Sequence, residues 1–479
     1  MNTPTRLTLL AATLALITGC SQLPSYQSPE VNLPDNLSEF SELSLLSADT
    51  QMDTSEQAWW ESFADERLST LLNHALIHNR DMAVLEQRLF QARAALTQGR
   101  AERLPRVTGQ AGIGRQQTSD NSFPQNQGSQ FNSFTLDGLV SYELDLWGRV
   151  RANQQRLEAQ YQALEADRQT ARLSLSAAVA HHYFNLRALD EMVLIAQNTV
   201  VSRQENLQLR QRKFEHGRLT PLAVQQAEVE LSRAEVELIS LEQQRDNQRH
   251  ALSLLVGHTP VQQMHMAHSD TPHPKRYIDL PIPPLNSEIE SERLLQRPDI
   301  QAAEQRLIAA NAEIGMARAA LFPSIRLNAL LGLGSAELNG LFDSDALQWR
   351  VNAGLTAPIF NASALRAQVQ ISEAEQQIKL LDYQHTLRQA FSETLDALSL
   401  HERSTAQLAA QQRQLNALRN TLDLAQKRFD AGYSSYLEVL DAQRALFDAE
   451  IAMVHTQRNL RHARIAIYKA LGGHEQTKI

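Results

Sequence analysis

The sequence predicts a mixed fold of very long α-helices and membrane-type β-strands, built twice along one chain. Three observations predict it. The stretches Ala152–His216 and Ala362–Ala431 contain neither Pro nor Gly. Four segments alternate apolar and polar residues over ten or more positions, the pattern of a strand with one apolar and one polar face. The body also repeats itself: Glu86-Gln87-Arg88-Leu89 returns as Glu304-Gln305-Arg306-Leu307.

The repeat sets the organisation. An offset of 218 residues also carries Asp81 to Asp299 and Leu104-Pro105 to Phe322-Pro323. An offset of 215 carries Phe214 to Phe429, Gly217 to Gly432, Leu222 to Leu437, Ala227 to Ala442 and Gly257 to Gly472. Each half therefore reads helix, hairpin, very long helix, turn, helix. The first repeat is placed at 56–280, with helices near 75–104, 152–216 and 222–256 and strands near 105–117 and 133–147. The second is placed at 281–479, with helices near 299–321, 362–431 and 437–471 and strands near 323–334 and 346–360. The Pro- and His-rich segment Gly257–Asn286 joins the halves.

The strands carry the membrane argument. Val107, Gly109, Ala111 and Ile113 fall on one face of the first, and Arg106, Thr108 and Gln110 on the other. Phe134, Leu136, Val140, Tyr142 and Leu144 oppose Thr135, Asp137, Ser141 and Glu143 in its partner. Ile325, Leu327, Ala329, Leu331 and Leu333 repeat the scheme, as do Leu347, Trp349, Val351, Ala353 and Leu355. Such lengths match the roughly 9–11 residues a tilted strand needs to cross a bilayer. An open sheet edge is not tolerated in hydrocarbon, and four strands are too few to close a barrel. Several chains must therefore share one barrel. The polar loops Thr118–Asn132 and Gly334–Ala346 join the strands on the outer side.

The long helices can each reach about 100 Å at 1.5 Å per residue. Leu380, Leu387, Phe391, Leu395 and Leu398 keep three-four spacing, as do Tyr436, Leu440, Phe447, Ile451 and Val454. That is a coiled-coil seam. The helices turn at Gly217 and Gly432, where glycine ends a helix at little cost.

The N-terminus reads as an address. Arg6, the apolar run Leu7–Ile17 and Thr18-Gly19-Cys20 form a secretory signal over residues 1–19. Ile17-Thr18-Gly19-Cys20 resembles a bacterial lipobox, which implies cleavage before Cys20 and lipid on it. Cys20 is the only cysteine in the chain, so it has no internal disulfide partner. Acyl chains there hold the mature end at a membrane, with residues 20–55, punctuated by Pro24, Pro29 and Pro34, as a tether.

Composition excludes other classes. The 479 residues carry a net charge of −9, opposite to the basic face a nucleic-acid binder needs. No run of 18 apolar residues follows the first twenty, so no helical span is expected. There is no nucleophile elbow, P-loop, zincin or glycine-rich phosphate motif. Gly332-Leu333-Gly334 is an isolated GxG within a strand. His181-His182 lacks a metal-ligand partner at helical spacing. Met264-His265-Met266-Ala267-His268 offers soft donors for copper or silver, although a polar linker explains it as well. No catalytic residue, metal ligand or cofactor is assigned beyond the lipid on Cys20.

Four motifs, in order, resemble the TolC-type outer-membrane factor family, in its OprM/CusC-like (NodT-type) branch of efflux lipoproteins. They are Trp59-Trp60-x-x-Phe63-x-Asp65, Ser141–Arg149 at the strand-to-helix junction, Arg297-Pro298-Asp299 with Phe322-Pro323-Ser324, and Ala431–Gln443 at a helical tip. The resemblance implies a homotrimer with a twelve-stranded barrel, four strands per chain, continued by a coiled-coil periplasmic tunnel. It implies an outer-membrane exit duct for drugs or other toxic small compounds, serving a periplasmic adaptor and an inner-membrane pump of the RND type. Ser21 after the lipobox points to the outer membrane on the same grounds. The gate maps onto Leu437 and Asp441, with Gln226 at the first-half position of Asp441. Three Asp441 carboxylates around the axis would repel one another and attract cations. Adaptor docking maps onto Gly217, Leu219, Thr220, Gly432 and Ser434. A type I protein-secretion duct of the same fold and a poreless coiled-coil lipoprotein are the alternatives.

Overall fold

The computed structural model describes Gln22, residues 24–29, 59–117, Ser119, 130–262, 276–283 and 291–473. Cys20 and the Met264–His268 segment lie outside the described residues. The first half contains α1 (Glu66–His78), α2 (Arg80–Ala101), β1 (Arg106–Gln117), β2 (Gln130–Leu144), α3 (Arg149–Glu215) and α4 (Pro221–Val256). The second contains α5 (Pro298–Ala319), β3 (Ser324–Ser335), β4 (Leu347–Thr356), α6 (Ala362–Asp430) and α7 (Tyr436–Ala470). Short 3-10 turns at Trp59–Phe63 and Ser291–Gln296 precede the first helix of each half.

Three expected boundaries are corrected, each for a local reason. The helix expected over 75–104 is divided at Asn79, which ends α1 in an extended conformation. Its Oδ1 accepts from Asp81 N at 2.9 Å and Met82 N at 3.2 Å, so it caps the start of α2. The strand expected over 133–147 runs from Gln130 to Leu144. It stops because the Asp145 carboxylate turns to accept from Val150 N at 2.9 Å and Arg151 N at 3.0 Å, opening α3. The strand expected to reach 360 stops at Thr356, two residues before Pro358, which has no N–H for a ladder.

Contacts divide the chain into two compact units, each built from both halves. One comprises residues 1–30, 87–165 and 302–384. It holds a single antiparallel sheet in the order β1-β2-β3-β4. The register lines Val107, Val140, Ala329 and Val351 across all four strands, and likewise Ala111, Leu136, Leu333 and Leu347. The apolar residues of each strand thus share one face. On the other face, Gln348 Nε2 reaches over Gly332 to donate to Asp137 Oδ1 at 3.0 Å. A Cβ at Gly332 would lie 2.1 Å from that oxygen, so the GxG motif serves sheet packing. At the sheet margin Trp147 stacks on Phe322 and donates to Pro323 O at 2.7 Å. Tether residues Tyr26 and Ser28 both donate to Glu304 Oε1, at 3.1 and 2.9 Å.

The other unit comprises residues 31–86, 166–301 and 385–479. Its core explains the Trp59–Asp65 motif. Trp59, Trp60 and Phe63 are buried among Phe184, Met192, Val256 and Ile465. Trp59 stacks on Tyr468 and Phe63 packs on Phe184. Asp65 Oδ1 accepts from Arg67 N and Leu68 N, capping α1, while Oδ2 accepts from Tyr183 Oη at 2.6 Å. One carboxylate thus caps the start of α1 and ties it to α3. Arg461, fully buried, donates to the carbonyls of Leu280 at 2.6 Å and Tyr277 at 3.2 Å. These contacts pin the segment that follows α4 onto α7.

Candidate functional site

Two features can act. The first is the sheet. Both edge strands, β1 and β4, lack a neighbour among the described residues. Its apolar face is open: Ile113 is 83% exposed, Trp349 73% and Val351 70%. Burying such a face in water-free surroundings is favourable by about 25 cal/mol per Å², but the unpaired edges then need partners. Among the described residues no helix is long and apolar enough to cross a membrane, so the sheet is the element suited to lipid.

The second feature is the pair of helical tips. Gly217 and Gly432 adopt φ of +69° and +79°, the left-handed conformation that closes each long helix. Thr220 and Ser435 take the N-cap positions of α4 and α7, and Pro221 follows in the first turn of α4. Leu219 and Ser434 are half-buried; Gly217, Thr220 and Gly432 are exposed. The Ser434 hydroxyl is buried without a hydrogen-bond partner. Leu437, 55% exposed, and Asp441, also exposed, lie one turn apart on α7, as their spacing predicts.

Polar ties cluster behind this face, and sequence reasoning missed them. Arg444 lies 3.4 Å from Asp441 and forms a second, charge-assisted pair with Glu230 of α4. Glu230 is 4% exposed, and the Arg444 hydrogen bond holds its carboxyl below the ordinary carboxylate range. Arg203, buried on α3, donates to Gln443. Arg210 stands over the Tyr436 ring at 3.2 Å and donates to Asn206 Oδ1 at 2.7 Å. Asn206 donates in turn to Tyr436 Oη at 2.8 Å. Only the Asp441–Arg444 pair had a visible signal, opposite charges at i and i+3. Arg210–Asn206 is also local, four residues apart on α3, whereas the ties between helices join residues more than 200 positions apart.

His181 also gains a partner that linear spacing hides. Its ring meets His462 of α7 edge-on, with centroids 4.4 Å apart. Burial lowers both imidazoles, His181 to about 4 and His462 to about 3. The pair is therefore neutral packing at ordinary pH. Among the described residues no group of three or more His, Cys, Asp or Glu converges as a metal centre.

An open amphipathic sheet on a frame of duplicated long helices defines a subunit of an outer-membrane channel. The profile of the outer membrane efflux protein family matches twice, over residues 71–258 and 290–473, one match for each repeat. The chain belongs to the outer membrane efflux protein family, and it is a transport component of the outer membrane. It is 33% identical over 476 residues to the cation efflux system protein CusC of Escherichia coli strain K12, covering 98% of this chain and 99% of CusC. It is 31% identical over 460 residues to the solvent efflux pump outer membrane protein SrpC of Pseudomonas putida, covering 96% of each. The crystal structure of the Campylobacter jejuni CmeC outer membrane channel superposes with a TM-score of 0.85 at 27% identity, over 95% of both chains.

Proposed function

We propose that three copies of the chain close a twelve-stranded barrel whose helices form an exit duct for small toxic compounds. A periplasmic adaptor and an inner-membrane pump of the RND type deliver the cargo and supply the energy. The observation that carries this reading is the four-stranded sheet, apolar on one face, with both edges unpaired among the described residues. Joining β4 of one copy to β1 of the next satisfies every edge and turns the apolar rows toward lipid. Lipid on Cys20 holds the mature N-terminus in the same membrane.

The tips supply the closable end. Around a three-fold axis, Leu437 forms an apolar ring and Asp441 an acidic one. Arg444, 3.4 Å from Asp441, moderates the carboxylate repulsion within that ring. The surfaces around Gly217, Leu219, Thr220, Gly432 and Ser434 receive the adaptor. Relatives carry names for export of cations, solvents or antibiotics. All three are small cargoes, which favours a small-molecule duct over one for secreted proteins.

The test uses detergent-purified full-length protein. Its mass is expected to be that of a trimer, and planar bilayers should show discrete conductance steps. Asp441→Ala is expected to lower cation preference. A stable single subunit without conductance would overturn the shared barrel. Unaltered conductance and selectivity in Asp441→Ala would remove the acidic ring from the gate.

A further inference from the structure

The polar face of the sheet carries cations that its own acids do not neutralise. By register, one row across the four strands is Arg106, Ser141, Asn328 and Asn352, and the next is Thr108, Leu139, Leu330 and Arg350. These residues alternate along the strands with the apolar rows, so they stand on the opposite face. Arg326 joins them one row further along, opposite Glu143. The two acids of this face are both engaged. Glu143 accepts from Arg149 Nε at 2.8 Å and lies 3.8 Å from Arg326. Asp137 accepts from Gln348 Nε2 at 3.0 Å. Arg106 and Arg350 are exposed, and neither has a carboxylate partner among the described residues.

Between these two cations the face turns apolar. Leu139 and Leu330 are direct cross-strand partners, both half-buried. The inner wall of a membrane barrel is ordinarily polar, so a leucine pair there asks for a reason. Arg350 is the direct partner of Leu330 across the next ladder, about 4.8 Å away by strand spacing. Arg106 lies diagonal to Leu139, because its direct partner is Ser141. A diagonal separation of about 7–8 Å is within reach of a long side chain. The four side chains line a hollow of about 430 Å³, with Thr108 and Asn328 as polar neighbours.

Two chemistries thus stand side by side. A guanidinium holds a carboxylate, sulfate or sulfonate through parallel N–H donors. Adjacent leucines take hydrocarbon out of water. A small anion gains nothing from the leucines, and a cationic amphiphile gains nothing from the arginines. Only a molecule with both an anionic head and an apolar body uses the whole hollow.

We propose that Arg106, Arg350, Leu139 and Leu330 form a binding site on the barrel wall for anionic amphiphiles, with a carboxylate, sulfate or sulfonate head and a hydrocarbon body. The site rests on the duct reading, in which the polar face lines the lumen. β1 and β4 are the edge strands, so Arg106 and Arg350 flank the seam where one copy meets the next. Their charge is opposite to that of the Asp441 ring, and charge selection therefore differs between the two ends of the duct.

The test is single-channel recording of the full-length protein in planar bilayers. Octanesulfonate, below its micellar concentration, is added to the compartment that the strand loops face, a route that reaches the site without passing the tips. Methanesulfonate supplies the head without the tail, and octyltrimethylammonium supplies the tail with the opposite charge. Octanesulfonate is expected to lower wild-type conductance at concentrations about tenfold below either control. Arg106→Gln combined with Arg350→Gln is expected to raise its half-blocking concentration about tenfold. Leu139→Thr combined with Leu330→Thr is expected to remove its advantage over methanesulfonate. The arginines are exposed and threonine suits a strand, so trimer mass and discrete steps are expected to persist in both variants. Asp441→Ala is expected to leave the block unchanged. Wild-type steps that octanesulfonate does not alter, equal block by all three probes, or equal block of the arginine variant would each overturn the site and leave the duct standing. A wild type without steps would overturn the duct reading and the site with it.

Discussion

The two helical tips share their geometry and differ in their chemistry. α3 and α4 have 67 and 36 residues, and α6 and α7 have 69 and 35. Both turns use a glycine at positive φ. Yet Tyr436, Asp441 and Arg444 correspond to Pro221, Gln226 and Val229. The partners are asymmetric too. Arg203, Asn206, Arg210 and Glu230 correspond to Leu418, Thr421, Ala425 and Ala445. The first half therefore supplies one set of polar groups, and α7 supplies the complementary set. Duplication has kept apolar spacing and the glycine turn, whereas the polar ties run between halves. A tip wired in this way ties α3 and α4 of the first half to α7 of the second, an arrangement that neither half encodes alone.

The junctions at Asn79 and Arg297, equivalent under the offset of 218 and bonded to Leu255 O and Ala470 O, extend the comparison and carry the largest expected effect. Arg297 is buried and engages two carboxylates and two backbone carbonyls. Arg297→Ala leaves those carbonyls and carboxylates short of a donor. It is expected to cost about 2–4 kcal/mol, somewhat less than a fully buried pair because Asp299 and Glu393 retain water contact. Asn79→Ala removes a neutral cap and one bond to Leu255 O, and is expected to cost about 1–2 kcal/mol. Thermal unfolding of the two variants side by side checks the order. An Asn79→Ala loss as large as that of Arg297→Ala would mean that the built-in cation is not what distinguishes the junctions.

These junctions also show what the sequence makes legible. The repeat, the four strands and the Gly-turned tips are local patterns of period 2 or 3.6, or fixed offsets, and each is visible in one dimension; Leu437 and Asp441 are picked out by the family resemblance, and their spacing shows only that they share a helix face. The break at Asn79 was missed because apolar spacing continues across it, and a side chain that caps one helix while binding another looks like any polar helix residue. Arg203–Gln443, Asn206–Tyr436 and Arg444–Glu230 were missed because only the packed α3–α4–α7 group brings them together. Strand ends were overrun where Asp145 and Pro358 end pairing by hydrogen-bond chemistry that hydropathy does not register.

Arg444 and its counterpart Val229 sharpen the tip comparison at intermediate magnitude. Arg444→Ala leaves the buried Glu230 carboxylate without its main partner, although Arg233 remains 3.8 Å away. The expected cost is about 1–3 kcal/mol. Val229→Ala, at an exposed position, is expected to change stability by less than about 0.5 kcal/mol. The pH dependence follows from the depressed Glu230 pKa. Its stabilisation is complete above the unfolded carboxylate value of about 4.3 and is lost as pH falls through the lower folded value. Removing Arg444 removes the main cause of the depression, so the variant starts less stable at neutral pH and the acid-dependent part of the loss should shrink. Thermal midpoints of wild type and variant between pH 3 and 6 check this. Identical profiles would show that Glu230 does not depend on Arg444.

The smallest expected effect isolates one tie. Tyr436→Phe deletes the hydroxyl that accepts from Asn206 Nδ2 while keeping the ring beneath Arg210. A single neutral hydrogen bond contributes about 0.5–1.5 kcal/mol, and Asn206 keeps its contact with Arg210. A loss in that range is therefore expected, with bilayer conductance unchanged. Tyr436→Ala also removes the ring face, and with it a cation–π contact of about 0.5–2 kcal/mol. If the two substitutions are equally destabilising, the hydroxyl rather than the guanidinium–ring contact holds α3 to α7. If Phe is neutral and Ala is not, the tie is the stacked Arg210, which the equivalent pair across the tip, Pro221 of α4 and Ala425 of α6, has no means to reproduce.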